Sequence, residues 1–236
     1  MIQLYQESQL ISIAQRFTQI HFQDIDRSST DLIYGKLIQE WMMSICETTS
    51  RYLRLNADLC QLPSDDRSLV IRTASANISC LGGSFVSRDY RLNEIDSFTN
   101  APRMIYGSDV MNKHHYSMKF IDSDTLLVKL GLSLFVFSEL NYSFVPSMCT
   151  DSINSMNVVK IQHRYAEVTW KYLLYRYGHD QAVRRFVKLT SWFMSLAAFL
   201  GDVHNISSRI NDMKSLVEET ELKFVLDDVD RLVETN

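Results

Sequence analysis

The sequence predicts an all-α fold, and three observations carry that expectation. Of 236 residues only 7 are glycine and 3 proline, too few for the frequent turns of a β-sandwich or barrel. Apolar residues make up 46% of the chain, ample for a buried core at this length. They recur at intervals of three and four over long stretches, the period of a helix face rather than of a strand.

The elements follow in order. Residues 8–22 carry Leu10, Ile11, Ile13, Ala14, Phe17, Ile20 and Phe22, the pattern of a first amphipathic helix. Polar residues 23–30 connect it to the next, with Ser29 or Thr30 available as a cap. The second helix is expected over 31–55. Ile38, Trp41, Met42, Ile45, Thr49, Tyr52 and Leu53 there form one stripe along roughly seven turns, the mark of a central helix packed along its length. Pro63, Asp65 and Asp66 suit a first helical turn, where amides lack partners and the dipole is positive. From there to Arg88 small or apolar residues occupy nearly every side, so this helix is expected to be buried all round. Asn100, Pro102 and Gly107, set among short apolar runs, suggest a small β-hairpin near 97–107. Helices are expected again at 109–119, 123–140 and 152–177, the last ended by Gly178 as a C-cap.

Residues 181–211 hold a strict three-four seam of Phe186, Leu189, Phe193, Leu196, Leu200 and Val203. Val187, Trp192, Met194 and Ala198 make a second apolar surface. One surface can enter the core while the other meets a second chain; a helix buried on all sides is the alternative. A short acidic amphipathic helix at 221–234 closes the chain. With no internal repeat and no interior linker, one domain over 1–236 is the economical reading.

Composition also limits function. Net charge is −4, from 24 basic and 28 acidic residues, so no basic field draws the chain onto nucleic acid or an anionic membrane. Met1–Leu10 lacks the apolar run of a signal peptide, and the most apolar runs, 130–137 and 192–200, are about half the length that spans a bilayer. Cys46, Cys60, Cys80 and Cys149 lie far apart with no CxxC pair, as expected of free thiols in a reducing compartment. HExxH, GxSxG, Walker A and GxGxxG motifs are all missing. His114 and His115 point about 100° apart on a helix, a solvated or pocket-lining pair rather than chelating ligands. Asp122 and Asp124 read as helix caps. Neither catalysis nor a metal or cofactor is expected.

The segment from Tyr52 through Arg54, Pro63 and Asp66 to Val70, Ile71 and Arg72 resembles the signature of nuclear receptor ligand-binding domains. Arg54 and Arg72 match the family's two lysines, Asp66 its acidic start, and Val70 and Ile71 its apolar pair; Asp58 replaces the turn glycine. Phe137-Ser-Glu resembles the end of the family's eighth helix, Lys160 to Tyr172 its ninth, and Phe186-Val-Lys-Leu-Thr-Ser the start of its tenth in ecdysone and liver X receptors. These stretches fall in the family's order and spacing.

The resemblance implies a three-layer sandwich of about twelve helices and a ligand-regulated transcription factor domain, placed in the nucleus. It would bind a small sterol-like or fatty ligand, with DNA contacted only through a separate domain. Implied pocket walls are Trp41, Met42, Ile45 and Thr49, then Ser75, Ser79 and Gly83, then Met111 and Met118, with His204 as a polar partner. Gly82 stands where vitamin D and ecdysone receptors place an arginine anchor. A coactivator helix of the type LxxLL, or a corepressor, would be held by Arg54 at its carbonyl end and Asp228 at its amide end, with Arg72 supporting the rim and Val225 and Leu226 adding apolar contact. The seam of Phe186, Leu189, Phe193, Leu196 and Leu200 would pair with a retinoid X receptor-type partner or a second copy, although Ala197 replaces the usual arginine. The competing expectation is a ligand-independent dimerisation or repression module whose own side chains fill the pocket.

Overall fold

The computed structural model describes residues 12, 13, 15–17, 19, 27–138, 156–203 and 218–226. Every regular element among them is helical: α1 (Arg27–Arg54), α2 (Ala57–Cys60), α3 (Ser64–Asp89), a 3₁₀ turn (Leu92–Glu94), α4 (Asp96–Tyr106), α5 (Ser108–Met118), α6 (Thr125–Val136), α7 (Met156–Tyr177) and α8 (His179–Val203). Described residues within 12–19 are helical too, as is a terminal helix, α9, over 218–226.

Helix α3 is the axis of the molecule. It packs on α1, α6, α8, α5 and the 3₁₀ turn, and Val70, Ile71, Ala74, Ile78, Leu81, Phe85 and Val86 are buried on several sides of it. Four of its buried hydroxyl side chains, those of Thr73, Ser75, Ser79 and Ser84, turn back on the helix. Thr73 Oγ1 donates to Leu69 O at 2.9 Å, Ser75 Oγ to Ile71 O at 2.5 Å, and Ser84 Oγ to Cys80 O at 2.8 Å. Such bonds to the i−4 carbonyl satisfy a buried hydroxyl and bend a helix; α3 is bent by 47° at residue 76.

The stripe expected on α1 is present: Ile38, Trp41, Ile45, Thr49 and Leu53 are buried, while Met42 and Tyr52 are partly so. Against it lies the N-terminal helical segment, whose Ile13 and Phe17 are buried, with the Phe17 ring edge-on to Phe98 at 5.1 Å. Where a hairpin is expected at 97–107 the chain is instead the helix α4. Phe98 and Ala101 are both buried, at the three-residue spacing of a helix face, and Thr99 Oγ1 donates to Asp96 O at 2.9 Å. Pro102 sits inside this helix, and Gly107 makes the turn the sequence suggested, at φ +85° between α4 and α5. Gly178, at φ +72°, ends α7 as expected, its N–H donating to Leu174 O at 3.0 Å.

Asp124 caps a helix as expected, whereas Asp122 sits in the loop before it and caps none; the two tie three elements together. Asp124 accepts from the amides of Leu126 and Leu127, at 2.9 and 3.2 Å, to start α6. The same carboxylate accepts from Tyr172 and Tyr177, at 2.6 and 2.7 Å, on the last turns of α7. Asp122 accepts from the Asp124 amide at 2.9 Å and pairs with Arg185 of α8, whose guanidinium lies 3.9 Å from the centre of the Tyr177 ring.

The three-four seam of α8 faces the interior. Leu189, Phe193, Leu196 and Leu200 are 0–5% exposed, and Phe186 is half-buried against Trp170 of α7. This corrects the expectation that the seam is a dimer interface: α5, α6 and α7 already cover it. Val183, Val187 and Met194 are the large apolar side chains of α8 that are exposed, among its described residues. Among the described residues no single helix is long and apolar enough to cross a membrane.

Candidate functional site

A mostly apolar cavity of about 90 Å³ lies between α1, α3, α4, α5 and α8. Trp41, Met42, Ile45, Ser79, Gly83, Met111 and Met118, all nominated from the sequence, line it. Three helices far apart in the chain therefore deliver residues to one space. Trp41 meets Phe98 edge-on at 5.3 Å. Gly83 leaves room on α3, since a Cβ there would stand 3.7 Å from Ile45 Cγ2.

Thr49 and Ser75 sit behind the wall. Thr49 Oγ1 donates to Ile45 O at 2.9 Å, Ser75 Oγ to Ile71 O, and Ser79 Oγ lies 2.8 Å from Ser75 O and 3.1 Å from Thr49 Oγ1. These hydroxyls are engaged with the backbone or with one another. His204 lies outside the described residues.

The polar lining residues include Ser84, Ser87, Asn93, Thr99 and Tyr106, which the sequence reading did not assign to the cavity, and His114 and His115, which it gave as a solvated or pocket-lining pair; Phe199 of α8 lines it too. Ser84 Oγ lies 2.8 Å from Cys80 O and 2.8 Å from His114 Nε2, so the hydroxyl joins the α3 backbone to the imidazole. His115 stands perpendicular to His114, 6.5 Å between ring centres. No Asp, Glu, Lys or Arg lies among the described residues of this wall. A signal was available in the sequence: Met111, His114, His115 and Met118 follow i, i+3, i+4, i+7, one face of a helix.

A second feature concerns the signature segment. Arg54 ends α1, where its carbonyl accepts from Cys60 Sγ at 3.1 Å. Asp58, in place of a turn glycine, sits in the first turn of α2, started by Asn56 Oδ1 accepting from the Leu59 amide at 3.0 Å. It pairs with Arg164 of α7. Burial, followed by the hydrogen bond and charge of Asp58, pushes the neighbouring Tyr165 hydroxyl up to about 12.

Helix α9 rests on the first half of α3. Thr220 and Phe224 are its buried residues. Glu221 accepts from Ser68 Oγ and, at 2.8 Å, from Arg72 Nε, while the Arg67 guanidinium lies 5.2 Å from the centre of the Phe224 ring. Arg72, nominated as a rim residue, is thus held by Glu221. Val225 and Leu226 point outward at 57% and 54% exposure, beside Leu222 at 60%. Asp228 lies outside the described residues. The anchoring roles of Glu221 and Phe224 had no local signal, because their partners are about 150 residues away in the chain.

No family model matches the sequence, and no significant match is found among curated proteins.

Proposed function

We propose that this chain is a ligand-regulated transcription factor domain of the nuclear receptor ligand-binding type, acting in the nucleus and reaching DNA through a separate domain. The convergence of Trp41, Met42, Ile45, Ser79, Gly83, Met111 and Met118 on one apolar cavity carries the reading, because the resemblance by itself nominates those residues as pocket walls. In this assignment α1 is the family's third helix, α3 its fourth and fifth, α5 its seventh, α6 its eighth, α7 its ninth and α8 its tenth. This assignment implies three layers of helices with α3 in the middle.

The switch is α9. With Phe224 and Glu221 seated on α3, the outward Leu222, Val225 and Leu226 become one wall of a groove for an LxxLL helix. Arg54 meets that helix's unpaired carbonyls and Asp228 its unpaired amides. A ligand acts only through its preference for the docked state; a hundredfold preference shifts that equilibrium by about 2.7 kcal/mol. Association with a retinoid X receptor-type partner or a second copy uses the outward face of α8, at Val187 and Met194.

The decisive experiment is titration of a fluorescent LxxLL peptide against the wild type and Arg54→Ala, with native mass spectrometry of the purified protein for a co-purified apolar molecule. Saturable binding weakened at least tenfold by Arg54→Ala is expected. Equal binding by both proteins, or none by either, removes the coactivator role.

A second reading is favoured by the size of the cavity. Drug-sized pockets start near 300 Å³, and about 90 Å³ is what a ligand-independent dimerisation or repression module would retain once Met42, Met111 and Met118 had filled its pocket. Corepressor binding by a protein that carries no small molecule in native mass spectra would select this alternative.

A further inference from the structure

The hairpin of α7 and α8 differs in charge from the rest of the molecule. Residues 156–203 hold seven basic and three acidic residues, a net +4, while the remainder of the chain holds 17 basic and 25 acidic, a net −8. Ion pairs leave most of that excess in place. Asp58 and Asp122, from outside the hairpin, neutralise Arg164 and Arg185, and Lys113 offsets Asp202, so a net of three positive charges remains. The excess borders the exposed apolar stripe of α8, where Val183, Val187 and Met194 are 40%, 57% and 58% exposed. Arg184 and Lys188 each follow one of the valines and stand four residues apart, a cationic row along the edge of the stripe. Arg184 is exposed and Lys188 partly so, and the exposed Lys160 and Arg176 add to the charge on α7.

Resting on the reading of the outward α8 face as an association surface, we propose that its partner is a different chain, one presenting an apolar stripe bordered by carboxylates, and not a second copy. The symmetry of self-pairing selects this class. A two-fold dimer brings the same patch of both copies together, so it sets Arg184 and Lys188 of one copy into the positive field of the other. Like charges juxtaposed across an interface act against that pairing. An acidic border removes the repulsion and adds attraction at the rim, which governs encounter rate and choice of partner, while Val183, Val187 and Met194 supply the apolar centre. Head-to-tail packing of the hairpin on the acidic remainder of a second copy is a different contact, because it builds rings or chains larger than a dimer.

The probe is this chain with the charge of the face reversed. Arg184→Glu combined with Lys188→Glu exchanges two positive charges for two negative ones and keeps the apolar stripe. Sedimentation velocity compares the wild type alone, the double variant alone and an equimolar mixture. The mixture should form a one-to-one dimer about tenfold tighter than the wild type forms with itself. Raising salt from about 0.1 to 1 M, which shortens the screening length from about 10 to 3 Å, should weaken the mixed dimer and narrow that difference. Met194→Ser in the wild-type component should remove the mixed dimer. Self-association of the wild type as tight as the mixture, and lost in Met194→Ser, overturns the acidic partner and leaves the α8 face standing. Wild-type species larger than a dimer that dissociate in high salt also overturn it, since the occupant is then the acidic remainder of a second copy. A mixed dimer that survives Met194→Ser, or no association in either sample up to about 0.1 mM, removes the face and the partner together. If the double variant does not fold, Arg184→Glu alone, at an exposed position, takes its place.

Discussion

Replacing Phe224 by alanine tests what holds α9 in place. Phe224 is 3% exposed, and burying a phenylalanine side chain contributes about 1.5–3 kcal/mol. The Arg67 guanidinium over its ring adds about 0.5–1 kcal/mol at a partly exposed site. A loss of about 2.5 kcal/mol is therefore expected, close to two decades in the docking equilibrium at 1.4 kcal/mol per decade. A helix this short has little stability of its own, so undocking and unfolding are one event. Hydrogen exchange over 218–226 should then accelerate roughly 30- to 100-fold while α7 is unchanged. Glu221→Gln gives the contrast. Its Arg72 partner is 52% exposed, a setting in which ion pairs contribute at most about 1 kcal/mol and weaken with salt. That variant should accelerate exchange less than about fivefold, and less again in 0.5 M salt. If Glu221→Gln loosens α9 more than Phe224→Ala does, or if Phe224→Ala leaves exchange unchanged, apolar burial is not what seats the helix.

Leu196→Glu and Met194→Glu separate the two faces of α8. The first places a carboxylate at a fully buried site and should unfold the protein or cost more than about 4 kcal/mol in urea titration. The second alters a residue 58% exposed and should change stability by less than about 0.5 kcal/mol while weakening association in sedimentation. For Asp124, burial raises the carboxyl pKa, but hydrogen bonds from Tyr172, Tyr177 and the Leu127 and Leu126 amides outweigh it and hold the group below the ordinary 3.8. Its contribution is thus present above about pH 4 and lost as acid carries the pH down through the depressed folded value, since the unfolded chain binds the proton first. Asp124→Asn, an equivalent cap, should flatten the urea midpoint in that acid window. At the alkaline end, burial followed by the Asp124 bond pushes Tyr172 up to about 12, so stability present below pH 10 should fall as the pH climbs towards 12. Gly131→Ala would bring a Cβ to 2.6 Å from Leu189 Cδ1, whereas Gly83→Ala stays 3.7 Å from Ile45. Overpacking costs about 1–3 kcal/mol against a helix gain near 1 kcal/mol, so the first should lower the melting temperature and the second raise it.

Several of these residues show how far a one-dimensional reading reaches. The stripe on α1 was legible because helical period and burial coincide there, and Gly178 and Asp124 because caps demand particular residue types. The cavity residues Trp41, Met42, Ile45, Ser79 and Gly83 were legible through motif order, which located the helices that bear them. The helix at Asp96–Tyr106 was not, because Pro102 and Gly107 read as turns and only Phe98 and Ala101 carried the competing helical period. Helix α8 is ambiguous for a different reason. It bears apolar residues on two surfaces, and periodicity ranks neither of them as the inner one.

Local sequence thus determined where most of the helices run and which side chains share a face, Asp96–Tyr106 excepted, since those properties depend on residues within a few positions of each other. Tertiary structure decided which face of α8 is covered, which hydroxyls are used up by the bent α3, that His114 finds Ser84 thirty residues away, and that Glu221 reaches Arg72. Each of those outcomes depends on how helices cross. Crossing is settled by the packing of all the side chains at once, a property carried by no short stretch of chain.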